Sequence, residues 1–145
     1  MSEPLSLRPA LATDAAEIAR LTAQLGYPSE PHAIRERLER LSVRDEHFVC
    51  VAVDGTELLG WVAAEHRLPL EYGDKIEIVG LVVDANARRG GVGRALVAAV
   101  ETWARSRGQR ELVVRSNITR DESHPFYEHL GFTRSKTQHV YSRTL

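Results

Sequence analysis

One stretch constrains this chain more than any other. Residues 75–83 read Lys-Ile-Glu-Ile-Val-Gly-Leu-Val-Val, a basic and glycine-rich turn spans Arg88 to Gly93, and apolar residues then recur at helical spacing. The first run has the composition of a central strand, buried towards its end. Leu96, Val97, Val100 and Trp103 fall on one face of the helix that follows, and Gly108 stops it. A strand that feeds a helix through such a turn calls for an α/β arrangement, with a sheet around the strand and a surface under the helix.

The flanking sequence supplies both. Leu5-Ser6-Leu7-Arg8-Pro9 alternates and is stopped by proline, as a short strand would be. Asp14 and Glu17 form a D-x-x-E capping pattern ahead of Ile18, Leu21 and Leu25, while Gly26 and Pro28 end that helix. A second helix fits Pro31 to about Leu41, with Ser29 as its cap and Ile34, Leu38 and Leu41 on one face. The period then changes: His47 to Val53 and Leu58 to about Glu65 read as strands joined by an Asp54-Gly55 hairpin. After the long helix, Glu111 to Arg115 is a strand and Ser123-His124-Pro125 opens a short helix carrying Phe126, Tyr127 and Leu130. Gly131 ends that helix, and Thr133 to about Arg143 is expected to form a last strand. The order is β-α-α-β-β-β-α-β-α-β. Without a linker, repeat or low-complexity segment, residues 1–145 are expected to form a single α/β domain with a mixed sheet.

Composition narrows the function classes. Nineteen Lys and Arg against twenty Asp and Glu give a net charge of −1, which argues against a nucleic-acid binder acting through bulk charge. Nor do aromatic residues interleave the basic patch at Arg88, Arg89 and Arg94, so no nucleic-acid partner is expected. The single cysteine, Cys50, lies between Val49 and Val51 and reads as a buried, inert thiol. His124 and His129, five apart, do not share a helix face, and no other pair has ligand spacing, so no metal is expected. The N-terminus lacks signal-peptide regions and no apolar stretch approaches about 18 residues; the expectation is a cytoplasmic protein without a membrane partner.

The turn itself carries the chemistry. Glycines allow successive N–H groups to converge, and the first turn of the helix adds its own unpaired N–H groups and the positive end of its dipole. Arg88, Arg89 and Arg94 bring guanidinium groups to the same place, and these suit phosphate oxygens. The residues thus read either as a pyrophosphate site or as an exposed turn with solvated arginines. A Walker A loop would need Lys and Ser or Thr after Gly93, where Arg94-Ala95 stand; a dinucleotide fingerprint would need glycine at position 96, where Leu96 stands.

Arg88-Arg89-Gly90-Gly91-Val92-Gly93 resembles the acetyl-CoA loop of the Gcn5-related N-acetyltransferase (GNAT) superfamily, Gln/Arg-x-x-Gly-x-Gly/Ala, at every specified position. The preceding Gly80-Leu81-Val82-Val83 is similar to that family's fourth strand, and Phe126-Tyr127-Glu128-His129-Leu130-Gly131-Phe132 resembles its second signature. Ala85 stands where many members carry proline, and Arg120 and Ser123 where many carry Asn and Ala. The resemblance covers nearly the whole chain and implies a mixed, mostly antiparallel central sheet flanked by helices.

It also implies a function, an acetyl-CoA-dependent N-acetyltransferase in which an amine attacks the thioester directly in a ternary complex. By resemblance, Leu81, Val82 and Val83 present main-chain groups to the pantetheine arm, and the N–H groups from Arg89 to Arg94 (that is, of Arg89, Gly90, Gly91, Val92, Gly93 and Arg94) hold the pyrophosphate beside Arg88. Asn117 falls near the expected cofactor cleft. Tyr127 is expected to be the general acid: a phenol at about 10 donating to a thiolate near 8.5 is uphill by only about 2 kcal/mol. The incoming amine must lose a proton, and a lysine-like amine is neutral in only roughly one molecule in 2,500 at pH 7. Glu77, Glu65 and Glu71 are the candidate bases. Glu77 is set first, because alternation along the strand puts it on one face with Val79, Leu81 and Val83. The acceptor is expected between Leu25–Pro31 and Arg67–Asp74, where Glu30, Glu71 and Asp74 would attract a cation. Homodimers are common in the family, although no dimer face is visible in the sequence. The alternative is a non-catalytic acyl-CoA-binding or interaction module with the same fold.

Overall fold

The computed structural model describes residues 5–87, 90–116 and 123–145. They divide into two compact units, residues 1–115 and 116–145. The larger unit holds a five-stranded sheet: β1 (Ser6–Pro9), β2 (His47–Asp54), β3 (Glu57–Arg67), β4 (Lys75–Val83) and β5 (Leu112–Val114), in that spatial order. Three pairings are antiparallel and β5 joins β4 in parallel, so the sheet is mixed and mostly antiparallel, as expected. Helices α1 (Ala15–Ala23) and α2 (Pro31–Leu41) precede β2, and α3 (Val92–Ser106) connects β4 to β5.

The two faces of the sheet are covered differently. Ala15, Ile18 and Leu21 of α1 and Leu38 of α2 pack with Val51, Val53, Leu58 and Val82, beside the half-buried Trp61. On the opposite face α3 buries Val92, Leu96, Val97, Val100 and Ala104. Phe48 stacks on Trp103 there at 5.3 Å. Cys50 is 4 % exposed and burial raises its thiol pKa, in keeping with an inert core residue.

Helix ends depart from the sequence reading in instructive ways. Asp14 does not close a D-x-x-E box with Glu17. Its carboxylate turns back to accept the Leu11 N–H at 2.7 Å and takes both terminal nitrogens of the Arg8 guanidinium at 2.8 Å. Likewise Ser29 does not cap α2: Glu30 occupies the cap position, with Pro31 in the first turn, and the Ser29 hydroxyl donates to the Tyr27 carbonyl.

The smaller unit contains α4 (Ser123–His129), closed by Gly131 at φ 93°. The last strand expected over Thr133 to about Arg143 is not formed; residues 133–145 are neither strand nor helix and are exposed throughout. A strand needs a pairing partner and a face to bury. The large apolar residues of that run, Val140 and Tyr141, are adjacent, so in a strand they would point to opposite faces.

Candidate functional site

β4 has one closed and one partly open side. Along β3 it is paired from Lys75 to Val83, whereas β5 pairs only with Ile76, Glu77 and Ile78. Among the described residues no strand bonds Val79–Val83 on that second side. The half-buried Leu81 and Val83 and the buried Val82 therefore form a free strand edge, which an extended amide-bearing arm can join as an added strand would.

Where the open edge begins, the ladder slips. Ala63 lies opposite Gly80 and Ala64 opposite Ile78, so Val79 has no partner in register and is 51 % exposed. This bulge re-aims the strand. Trp61 covers it from the α1 side: a Cβ on Gly80 would lie 2.7 Å from two atoms of the Trp61 ring, whose Nε1 donates to Thr22 Oγ1 of α1 at 3.2 Å.

The bulge corrects one argument from the sequence. Cross-strand partners share a face. Leu81 opposes Val62 and Val83 opposes Gly60, on the α3 face, while Glu77 opposes Glu65, which alternates with Trp61 on the α1 face. Simple alternation put Glu77 with Leu81 and Val83; the extra residue moves it to the other side. There Glu77 is 5 % exposed, with Arg115 Nε 3.2 Å from Oε1 and Arg67 Nη1 3.4 Å from both oxygens. Of the other candidate bases, Glu65 lies 3.4 Å from Arg67 Nε and 3.8 Å from His47 Nδ1, and Glu71 is exposed in the loop. Asp74 is held by His66 Nε2 at 2.8 Å, and Glu30 stands exposed at the head of α2.

The helix start expected to bind an anion comes after β4. Gly91 caps α3 at φ 78°, a left-handed conformation that suits glycine. Val92 and Gly93 are buried in the first turn and Arg94 is exposed. The N–H groups of that turn have no intrahelical acceptor, and the dipole of the helix adds to them. Gly60 sets how close this end comes to the sheet. A Cβ there would lie 2.8 Å from the Val82 carbonyl and 3.1 Å from both Val92 Cγ1 and Leu96 Cδ1. Since Gly60 is also the partner of Val83, the end of the open edge and the start of the helix meet at one glycine. Arg88, Arg89 and Asn117 lie outside the described residues.

In the smaller unit, Tyr127 is half-buried, with its ring edge-on to Phe126 at 5.1 Å and to Phe132 at 5.7 Å. The Phe132 N–H donates to the Tyr127 carbonyl at 3.0 Å, so the turn after α4 folds back on the tyrosine.

Three structural residues escaped the sequence reading: Gly60, Gly80 and Asp84. The first two were legible in principle, because a lone glycine inside a strand signals a bulge or a close approach. Asp84 carried the weaker signal of an Asx turn into Asn86.

Comparison with known proteins agrees with this geometry. The Acetyltransferase (GNAT) family profile matches residues 13–132. The chain is 32 % identical over 138 residues to an aminoglycoside N(6')-acetyltransferase type 1 of Stenotrophomonas maltophilia, covering 90 % of this chain and 88 % of that protein. Among solved structures, the aminoglycoside N-acetyltransferase AAC(6')-Iy in complex with CoA superposes with a TM-score of 0.88 at 21 % identity, over 100 % of this chain and 98 % of that one. Glucosamine-6-phosphate N-acetyltransferase from Arabidopsis thaliana gives a TM-score of 0.82 at 20 % identity, over 97 % and 99 %. These matches settle the family and its reaction: the protein belongs to the GNAT acetyltransferase family and is an acetyl-CoA-dependent N-acetyltransferase of amines.

Proposed function

We propose that the acceptor is a primary amine of a cationic amino sugar, of the aminoglycoside type, and that the 6'-amine is the group acetylated. The relative matched over 90 % of this chain is named for that activity. The observation that carries the donor half of the reaction is the open edge of β4 meeting the α3 N-terminus at Gly60. Leu81, Val82 and Val83 would pair with the pantetheine arm, and the N–H groups of Gly91, Val92, Gly93 and Arg94 would take the pyrophosphate, assisted by Arg88 and Arg89; the Gly90 N–H, expected to join them, is instead donated to the Ala87 carbonyl at 3.1 Å. Asn117 is assigned to the cofactor side by resemblance alone.

For the chemical step, the amine attacks the thioester carbonyl and a tetrahedral oxyanion forms, to which a main-chain N–H near Val83 can donate. The C–S bond then breaks and Tyr127 protonates the departing thiolate. Packing of Tyr127 between two aromatic rings supports the role, because it limits the ring to few orientations. Glu77 takes the amine's proton only by exchanging a guanidinium contact for the amine, and the 3.4 Å Arg67 contacts are the ones to be displaced. The profile match runs through both compact units, which supports one catalytic domain over residues 1–145. We place the reaction in the cytoplasm, where a free thiol such as Cys50 stays reduced.

The test is thiol release from acetyl-CoA in the presence of two aminoglycosides, one with a 6'-amine and one with a 6'-hydroxyl. Turnover with the first alone is expected. Tyr127→Phe should cut kcat by roughly 100-fold with little change in acetyl-CoA binding, the range for loss of a general acid. Unaltered kcat would refute the Tyr127 assignment. Acetyl-CoA binding without release for any amine would leave a binding module instead.

A further inference from the structure

We propose that Arg20 of α1 is a positioning residue for acetyl-CoA: together with Gln24 it fixes the turn between β4 and α3 and neutralises Asp84 at the entrance to the diphosphate site. The inference rests on reading the α3 N-terminus as that site.

Asp84 follows β4 directly and is 3 % exposed. Every polar group it has is engaged. Its N–H donates to the Leu59 carbonyl at 2.8 Å and its carbonyl accepts the Ala87 N–H at 2.9 Å. One carboxylate oxygen accepts the Asn86 N–H at 2.9 Å, and the other takes Arg20 Nη1 at 3.1 Å. Gln24 Oε1 accepts the Ala85 N–H at 3.0 Å, and the Ala87 carbonyl accepts the Gly90 N–H at 3.1 Å. The N–H groups of residues 84–87 are thus all bonded within the protein. The clamp thus takes up the N–H groups at the start of the turn, while those in the first turn of α3 have no intrahelical acceptor and are left for an anion.

Arg20 reaches this turn from an element far earlier in the chain. Its Nη2 also donates to the Leu58 carbonyl at 3.1 Å, and Glu17 holds the guanidinium through Nε at 2.7 Å and Nη2 at 3.2 Å. Glu17 in turn accepts the Leu58 N–H at 3.3 Å. The guanidinium therefore ties α1 to the start of β3 and the end of β4 at once, a task for its planar set of donors that an ammonium does not share. The bond to the Asn86 N–H, ahead of that to Arg20, lowers the Asp84 pKa, and the bond to Glu17 raises that of Arg20. A buried carboxylate beside a polyanionic ligand repels it unless a cation is paired with it.

Steady-state kinetics with two donors tests the idea: acetyl-CoA, and acetyl-pantetheine, which lacks the diphosphate. Arg20→Gln should raise KM for acetyl-CoA by roughly tenfold or more, as loss of a charge-assisted bond would, with kcat within about twofold. KM for acetyl-pantetheine should stay unchanged. Arg20→Lys should fall between, and adding Asp84→Asn to Arg20→Gln should recover part of the lost affinity by removing the unpaired anion. If Arg20→Gln does not fold, Arg20→Lys read with the same donor pair decides. Equal losses with both donors mark a merely structural residue and overturn the proposal, as does an unaltered KM for acetyl-CoA. Equal KM values for the two donors in the parent protein would instead refute the diphosphate site itself, and the clamp with it.

Discussion

Gly60→Ala is the smallest change that should separate the open strand edge from the helix proposed to complete the site. The added methyl would sit 2.8 Å from the Val82 carbonyl oxygen and 3.1 Å from Val92 Cγ1 and Leu96 Cδ1. Carbon atoms pack best at about 3.5–4.0 Å, so each contact must open by several tenths of an ångström. None of the three neighbours can yield alone. The carbonyl belongs to a paired strand, Leu96 is 0 % exposed, and Val92 is 2 % exposed in the first turn of α3. Relief must come from moving the helix end away from the sheet. Overpacking of this kind costs about 1–3 kcal/mol, offset by about 0.4–1 kcal/mol because alanine restricts the unfolded chain. A net loss of about 1–2 kcal/mol corresponds to a fall in Tm of roughly 3–8 °C for a chain of this size. Urea unfolding should show the midpoint lowered at constant m, and calorimetric titration should show weaker acetyl-CoA binding, since the helix end proposed to receive the anion would have moved. A variant as stable as the parent with undiminished affinity would refute the close approach at Gly60.

Two further substitutions probe other joints of the fold. Gly80→Ala places a methyl 2.7 Å from the Trp61 ring and should dislodge it from Thr22, shifting tryptophan emission to longer wavelength; unshifted emission would contradict the covered bulge. Asp14 is 6 % exposed, and its bond to Arg8 depresses the carboxyl pKa below the ordinary carboxylate range. A depressed folded pKa contributes stability that is complete above the unfolded value, near 3.9, and is lost as pH falls through the folded value. Asp14→Asn should therefore cost on the order of 1–2 kcal/mol at neutral pH and lessen the loss of stability below about pH 4. An acid limb as steep as the parent's, in unfolding curves measured across pH, would count against the pair.

Much of this molecule is local and was legible. Helix α2 and strand β4 run over the residues their patterns predict, Pro31–Leu41 and Lys75–Val83, because apolar spacing, proline and glycine act within a few residues of where they stand. The glycine turn and the Phe-Tyr-Glu segment were equally plain, and with them the family. Asp14 and Ser29 misled for a physical reason: capping patterns assume a local partner, and a nearby Arg8 or a tighter turn outbid it. The last strand failed because Val140 and Tyr141 are adjacent and give the run no single apolar face to bury.

What only the tertiary structure decided is the side of the sheet on which each group lies. A single unpaired residue, Val79, reverses the alternation between Glu77 and Leu81; Gly80 in Glu-Ile-Val-Gly-Leu signals an irregularity without fixing that Val79 is the extra residue. That choice belongs to β3, whose Trp61 lies against Gly80 and whose Gly60 admits α3. The sequence determined that a strand, a basic glycine-rich turn and a helix follow one another. Contacts between residues distant in the chain, such as Arg20 with Asp84 and Gly60 with Val92, determined where that turn begins and how close the helix comes, because packing and charge act through space and not along the chain.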